Sequence, residues 1–234
     1  MTQPSETVPW ELSVRELRRR WKPTRLRLQQ VARGGEQHPL PIRIHRAISW
    51  LEAAERENDG DRIDERLLLL WIGLNALYSR WNAQQREPVG DRSALKQFLT
   101  QILHIDHNHR VAGLLQHQRE LIEEILADKY TNSYHWSTDR GGPDDGNDRA
   151  RYLAAQWYQQ GDWPRLLSET VHRIYFLRCQ LVHGAATHGG NLNRQAVARS
   201  VRLLDPMLRT LLCVVIDGGV AVDWGELCYP PVKR

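Results

Sequence analysis

The sequence has few cysteines and no long hydrophobic run. Its three cysteines, Cys179, Cys213 and Cys228, are odd in number and widely spaced, which argues against a disulfide framework and favours a reducing compartment. No stretch approaches the roughly eighteen consecutive apolar residues of a membrane-spanning helix. The amino-terminal segment lacks the basic and apolar regions of a signal peptide. These absences predict a cytoplasmic protein that does not enter a membrane.

Several enzyme motifs are also missing. The chain has no phosphate-loop or dinucleotide-binding glycine pattern, and its glycine pairs Gly141-Gly142 and Gly189-Gly190 follow no predicted strand, so we interpret them as turns. It has neither the nucleophile elbow of hydrolases nor the paired-histidine motif of helical metalloproteases. These absences argue against several common enzyme classes.

Positive charge is concentrated at the amino terminus. The 234-residue chain has a net charge of +4, and residues 1–36 hold eight basic against four acidic side chains, which accounts for the whole excess. The length suits one main domain with an appended segment. We therefore predict a basic arm over residues 1–38 and one helical domain over residues 39–234.

The basic arm is a candidate RNA-binding element. Basic side chains neutralise phosphates, and the interleaved Trp10 and Trp21 would stack on bases. The alternative is a solvated helix face whose arginines pair with acidic residues of the body. The candidate RNA-binding residues are Arg18, Arg19, Arg20 and Lys22.

Hydrophobic residues recur at helical spacing along most of the chain, and no segment shows clear strand alternation. Asp205-Pro206 predicts a kink or a division of the last helix, and the polar, glycine-rich segment 131–149 is predicted to be a loop. The pattern predicts an all-α, up-and-down helical bundle with an inserted helical and loop segment. The predicted helices span 42–58, with a stop at 58–60; 61–81; 92–127 as one or two helices, with a break at HIDHNH; 149–159; 163–184, with a start signal at Asp162; and 193–217.

The densest group of candidate metal ligands is His104, His107 and His109, with Asp106 among them. His104 and His107 are three residues apart, so they share one helical face and would supply two ligands of a site that needs three or four. No cysteine lies nearby, and histidines at a break between helices are commonly surface groups or caps. A metal-dependent enzyme built on this cluster is the third hypothesis for function, and the leading hypothesis below requires no metal or other cofactor.

Arg178 and His183 close the apolar helix FLRCQLVHG. Five residues along an α-helix correspond to a rise of about 7.5 Å and a net rotation of about 140°, so the two side chains leave different faces. Gly184, directly after His183, predicts the end of the helix. On spacing alone, the simpler interpretation is that Arg178 is a cationic group that favours the negative end of the helix dipole and that His183 is a C-terminal cap.

The sequence around these residues resembles a known signature. RCQLVHG, from Arg178 to Gly184, is similar to the motif of the HEPN superfamily (higher eukaryotes and prokaryotes nucleotide-binding), in which an Arg is followed four to six residues later by a His at the end of an apolar helix. IDERLLLLWIGLNALYSRW, from Ile63 to Trp81, looks like the second helix of the same superfamily, particularly of its Apea-like branch. The resemblance covers roughly residues 42–217.

The resemblance implies a helical bundle that forms a homodimer, in which two such motifs face each other in a cleft, and a metal-independent endoribonuclease activity. In that chemistry His183 suits the proton transfers at the ribose 2′-hydroxyl and the leaving 5′-oxygen, and Arg178 suits the charge of the phosphorane. A two-fold axis would also bring together groups that diverge on one helix. The implied biological role is that of a toxin or a phage-defence effector, with an antitoxin or another protein as partner.

Cys179 and Asn75 occupy supporting positions of this motif and depart from its usual residues. Cys179 follows the Arg where Asn or another polar residue is common, and Asn75 lies in the second helix where an acidic residue is frequent. Ala185 stands where the toxins silenced by nucleotidyl modification carry a tyrosine. These departures keep open a second hypothesis, a non-catalytic module of the same fold that binds RNA, a nucleotide or a protein partner.

Overall fold

The computed structural model describes residues 8–31, 38–57, 62–132 and 145–229, and within them nearly all regular structure is α-helical. This confirms the predicted all-α helical bundle. The only sheet in these residues is an antiparallel pair of two-residue strands, β1 (Trp81–Asn82) and β2 (Glu87–Pro88). The helices are α1 (Val14–Val31), α2 (Pro39–Arg56), α3 (Ile63–Tyr78), α4 (Asp91–Ile105), α5 (Arg110–His117), α6 (Arg119–Leu126), α7 (Asp145–Gln160), α8 (Trp163–Val182) and α9 (Arg194–Gly218).

The bundle is assembled around α9, which is buried on nearly all sides and contacts most of the other helices. The sequence predicted a kink or a division at Pro206, but α9 continues through this proline as one helix, so the predicted division is wrong. A proline inside a helix costs about 3 kcal/mol through its missing N–H and its ring clash. Burial of the flanking apolar side chains offsets that cost. These side chains are Leu203, Leu204, Met207 and Leu208.

α2 and α3 form a closely packed pair against α9. Pro39 occupies the first turn of α2, where a proline is tolerated, and Nδ1 of His38 accepts a hydrogen bond from the Leu40 amide at 3.2 Å. Gly73 on α3 permits close packing, because a Cβ at this position would lie 2.9 Å from Cδ2 of Leu208 on α9. The predicted start of α3 at Asp61, and the predicted stop of α2 at 58–60, lie outside the described residues.

The segment 92–127 contains three helices, α4, α5 and α6, where the sequence predicted one or two. The predicted break at HIDHNH is confirmed: Asp106 accepts a hydrogen bond from the Val111 amide at 2.8 Å, and His109 adopts a left-handed φ of 52°. The second break, at Gln118, has no glycine or proline to mark it. Helix α7 begins at Asp145, before the predicted start at 149, and residues 133–144 of the predicted loop lie outside the described residues.

Helix α1 packs along α2 and α9, and its Leu17 and Trp21 are buried in the same core as the other helices. Arg20 binds the carboxylate of Asp217 on α9 through two hydrogen bonds of 2.9 and 2.6 Å, and Arg110 contacts the same carboxylate at 2.5 Å. Burial raises the pKa of Asp217, but the hydrogen bonds from the two arginines outweigh it and hold the pKa below its ordinary value. The predicted boundary at residue 38 thus falls just before α2, between two helices that touch.

Arg43 on α2 is only 1% exposed and forms no ion pair with the described residues. Its guanidinium donates hydrogen bonds of 2.6–3.3 Å to backbone carbonyls at the end of α3 and in the segment after α9. Burial lowers the pKa of Arg43 to about 10, so the side chain stays charged near neutral pH. The acceptors are the carbonyls of Leu77, Ser79, Trp224, Gly225 and Glu226.

These bonds account for the end of α3. The sequence predicted that this helix extends to Trp81, which is wrong: α3 ends at Tyr78, and Trp81 lies in β1. Arg43 donates a hydrogen bond of 2.6 Å to the carbonyl of Ser79. The backbone of Ser79 is already extended, with a ψ of 136°. A long-range contact therefore overrides the helical periodicity of the sequence.

No helix in the described ranges is long and apolar enough to cross a membrane. The three cysteines are free thiols, with Cys213 and Cys228 buried and Cys179 half-buried.

Replacing Arg43 by methionine should lower the free energy of unfolding by about 3 kcal/mol, because several carbonyls in a largely buried site lose a charged donor. Chemical denaturation followed by circular dichroism measures this loss. Arg46→Met is the control: Arg46 donates to the carbonyls of Cys228 and Tyr229 nearer the surface, and its loss should cost less than about 1 kcal/mol. Equal stabilities of the wild type and R43M would contradict this role of Arg43.

Candidate active site

The candidate site lies at the carboxyl end of α8, and local sequence fixes both ends of this helix. Oδ1 of Asp162 accepts a hydrogen bond from the Arg165 amide at 3.1 Å, which caps the first turn. His183 is the C-cap residue, and its amide donates to the carbonyl of Cys179 at 3.0 Å. Gly184 follows with a left-handed φ of 68°, a conformation that favours glycine. The helix end predicted at Gly184 is therefore confirmed.

Arg178 is half-buried on the last turns of α8. Its guanidinium carbon lies 5.9 Å from the centre of the Tyr175 ring, and its Nη1 lies 3.9 Å from Sγ of Cys179. No carboxylate pairs with Arg178 in the part of the chain that the structure describes. A guanidinium that lies beside an aromatic ring and a thiol, with no carboxylate partner among the described residues, is suited to bind an anion.

His183 is exposed at the helix end, and Arg178 forms no hydrogen bond with it. The predicted divergence of about 140° between the two side chains fits this arrangement. Within a single chain, therefore, the structure does not bring the two predicted catalytic residues together.

A hydrogen-bonded pair lies near Arg178 at the contact between α3 and α4. The hydroxyl of Tyr78 donates to Oδ1 of Asp91 at 2.6 Å. Burial and the carboxylate of Asp91 raise the pKa of Tyr78 above its ordinary value, and the positive charge of Arg178 opposes this rise. Tyr78 therefore stays protonated and acts as a donor, and Arg178 lies within electrostatic reach of Tyr78.

The two supporting residues, Asn75 and Cys179, lie on α3 and α8. Oδ1 of Asn75 is buried and has no hydrogen-bond partner among the described residues, so this amide has an unused acceptor. The Cys179 thiol lies beside Tyr175, and burial, followed by its interaction with Cys179, raises the pKa of Tyr175. Neither residue is a carboxylate, so neither forms an ion pair with Arg178.

A pocket of about 320 Å³ opens between α4 and α8, and Tyr175 is one of the residues that line it. The Arg92 guanidinium lies 5.5 Å from the centre of the Tyr175 ring, and the His172 ring stacks on Tyr175 with centres 6.2 Å apart. Burial lowers the pKa of His172, and Arg92 lowers it further. Lys96, Ser168 and Glu169 complete the polar lining.

Sequence reasoning did not identify His172, Tyr175 or Arg92. The spacing of His172, Tyr175 and Arg178, three residues apart in each case, places them along one side of α8 and was a usable signal. No local signal marks Arg92, because it reaches this place through the packing of α4 on α8.

The predicted RNA-binding residues of α1 fall into two groups. Arg18 binds Glu52 at 2.7 Å and Arg20 binds Asp217, as the alternative of pairing with the body predicted. Arg19 and Lys22 are exposed and form no hydrogen bond or ion pair with the described residues.

The two tryptophans are placed differently from the sequence expectation. Trp21 is only 4% exposed, and the ring of Trp10 stacks on His117 with centres 5.3 Å apart. The expectation that both stack on bases is therefore wrong for Trp21, whose ring is in the core, and Trp10 already has a stacking partner.

The histidine cluster does not assemble a metal site. His104 and His107 are exposed, His109 precedes α5, and Asp106 is bound to the Val111 amide. Across residues 8–31, 38–57, 62–132 and 145–229, no group of three or more His, Cys, Asp or Glu side chains has the arrangement of a metal site.

Comparison of the chain with protein-family models, with curated proteins and with solved structures gives no match.

A titration tests the arrangement around His172. Its pKa should lie below the ordinary histidine value of about 6.5, so His172 opposes folding increasingly as the pH falls below that value. Arg92→Gln removes a positive charge and should raise the pKa, whereas Glu169→Gln removes the opposing carboxylate and should lower it further. NMR titration of the imidazole measures both shifts. An unchanged pKa of His172 in both variants would show that these charges do not act on the ring.

Proposed function

We propose that the protein is a metal-independent endoribonuclease of the HEPN type, with Arg178 and His183 as its reactive groups. The observation that carries the proposal is that the carboxyl end of α8 presents both an exposed imidazole and an arginine that has no carboxylate partner among the described residues. The resemblance of RCQLVHG to the HEPN motif supports the same assignment. RNA cleavage needs a proton-transfer group and a cation, and these two side chains supply them.

The reaction proceeds by attack of the ribose 2′-hydroxyl on the adjacent phosphorus. A neutral His183 imidazole takes the hydroxyl proton, the 2′-oxygen forms a bond to phosphorus, and the bond from phosphorus to the 5′-oxygen breaks. The leaving oxygen takes a proton from a protonated imidazole, the role of His183 of a second copy. Arg178 binds the phosphoryl oxygens while their negative charge increases.

A homodimer supplies the second imidazole. Arg178 and His183 diverge on one helix, and a two-fold axis beside the helix end lets each group meet its copy. Two exposed apolar side chains between the end of α8 and the start of α9 support such a contact: Val182 is 52% exposed and Leu192 is 69% exposed. Exposed apolar groups beside a polar site are suited to an interface between copies.

RNA binding without cleavage is the second candidate function. It is favoured by Asn75 and Cys179 at the positions that support the motif, because neither is a carboxylate that would orient Arg178 or His183. The roles of toxin or phage-defence effector, a protein partner such as an antitoxin, and a cytoplasmic location stay predictions.

The purified protein should cleave single-stranded RNA in the presence of EDTA, and His183→Ala should reduce the rate by a factor of about 10²–10⁴, the usual contribution of a general acid and base. A time course on labelled RNA measures the rate. His188→Ala is the matched control, because His188 is an exposed histidine of the loop after α8, and its removal should leave the rate unchanged. RNA that stays intact over a wide range of substrates would exclude the nuclease and favour the binding module.

Light scattering should find a dimer at micromolar concentration, and Val182→Glu should shift it towards the monomer, because the variant places a charge in an apolar contact. Tyr152→Glu changes another exposed large side chain, on α7, and should leave the dimer intact. A wild-type protein that is monomeric throughout this range would contradict the two-fold site.

A further inference from the structure

A basic groove of about 1110 Å³ runs between α1 and α2. Among the described residues that line it, none is acidic, and its floor contains half-buried apolar groups such as Leu28, Pro41 and Ile42. The basic residues that line it are Arg15, Arg18, Arg19, Lys22 and Arg25 from α1, and His38, His45 and Arg46 from α2 and its cap. The groove is therefore a concave surface with a cationic rim above an apolar base.

Most of this charge is not neutralised. Arg18 pairs with Glu52, and Arg46 donates only to backbone carbonyls, which leave its charge uncompensated. The other four α1 cations that line the groove are exposed and make no hydrogen bond or ion pair with the described part of the chain, although the charge of Arg19 acts on Glu16. These are Arg15, Arg19, Lys22 and Arg25. Like charges held together without a partner oppose folding, so such a cluster is typical of an anion-binding surface.

The spacing of these cations favours a ligand with regularly repeated negative charges. Arg15, Arg19, Lys22 and Arg25 recur at intervals of three or four residues, which places one cation on each turn, about 5 Å apart, over a length of about 15 Å. A single phosphate would meet only one or two of them. A polyanion that follows the groove would meet all four.

The shape and chemistry of the groove favour single-stranded RNA. Packed helices lie about 8–10 Å apart, so a groove between them admits a single strand more readily than the wide surface of a duplex. Arginines supply most of the rim, and their forked guanidinium groups match phosphate oxygens. The apolar floor suits the faces of unpaired bases, whereas the phosphates stay at the rim.

We propose that the groove between α1 and α2 binds the backbone of single-stranded RNA, with Arg15, Arg19, Lys22 and Arg25 as the phosphate ligands. Arg20 is excluded from this set because it binds Asp217 and does not line the groove. The choice of RNA rests on the proposed function, and the groove is a second site on the chain, distinct from Arg178 and His183. It holds the substrate and takes no part in the chemistry.

The test measures binding in the His183→Ala background, so that cleavage does not consume the probe. Fluorescence anisotropy of labelled oligouridine is followed as a function of salt for this protein and for a groove variant that adds R19Q, K22Q and R25Q. For single strands each lost phosphate contact lowers the slope of log K against log salt by about 0.7, so we expect a fall of about 2 and at least about tenfold weaker binding near physiological salt.

A matched control variant carries R149Q, R151Q and R202Q, which remove the same charge from exposed positions of α7 and α9. It should bind oligouridine like the parent, and circular dichroism should show that both variants fold. The proposal is overturned by an unchanged slope in the groove variant, by an equal loss in the control variant, or by failure of the parent to bind oligouridine. Equally tight binding of poly-glutamate would assign the groove to an acidic peptide instead.

The two proposals fail independently. Groove-dependent binding without cleavage by the wild type would remove the nuclease and keep the groove. Cleavage that is unaffected by the groove variant, together with unchanged binding, would remove the groove and keep the nuclease.

Discussion

The contact between α1 and Asp217 determines which basic side chains of the amino-terminal segment face solvent. Leu17 and Trp21 are buried on one side of α1. The two hydrogen bonds from Arg20 to Asp217 fix the rotation of α1 about its helix axis. The segment before α1 is also held, because Arg209 donates to the carbonyl of Leu12 at 2.6 Å. With these contacts in place, the unpaired cations of α1 come to lie beside α2. The basic residues that are spread along one segment of the sequence therefore line one groove in the folded chain.

Burial of one side of a helix also determines where the groups of the candidate active site lie. The buried side of α8, with Leu166, Ile174 and Leu177, leaves Arg178 beside Tyr175 and near the hydrogen-bonded pair of Tyr78 and Asp91. Helix α8 ends at Val182, so His183 stands in solvent beyond the last turn. A straight helix keeps the two groups apart, and for that reason the proposed chemistry needs a second copy of the chain. The proposal that the chain cleaves RNA therefore depends on the proposal that it forms a dimer.

Features governed by local interactions could be predicted from the sequence, and features governed by long-range contacts could not. The cap at Asp162, the break at HIDHNH and the helix end at Gly184 depend on neighbouring residues, and all three are confirmed. The division at Pro206 and the extension of α3 to Trp81 were wrong, because the packing of α9 and the carbonyl contacts of Arg43 override local preference.

The same limit applies to the candidate sites. Arg19 and Arg20 are adjacent and look alike in the sequence; only the fold shows that Arg20 meets a carboxylate 197 residues away. Arg92 likewise reaches Tyr175 only through helix packing. The central claim, cleavage of RNA by 2′-hydroxyl attack, is tested most directly by the end groups of the RNA products. Mass spectrometry should find a 2′,3′-cyclic phosphate on one fragment and a 5′-hydroxyl on the other. Fragments with a 3′-hydroxyl and a 5′-phosphate would contradict the account.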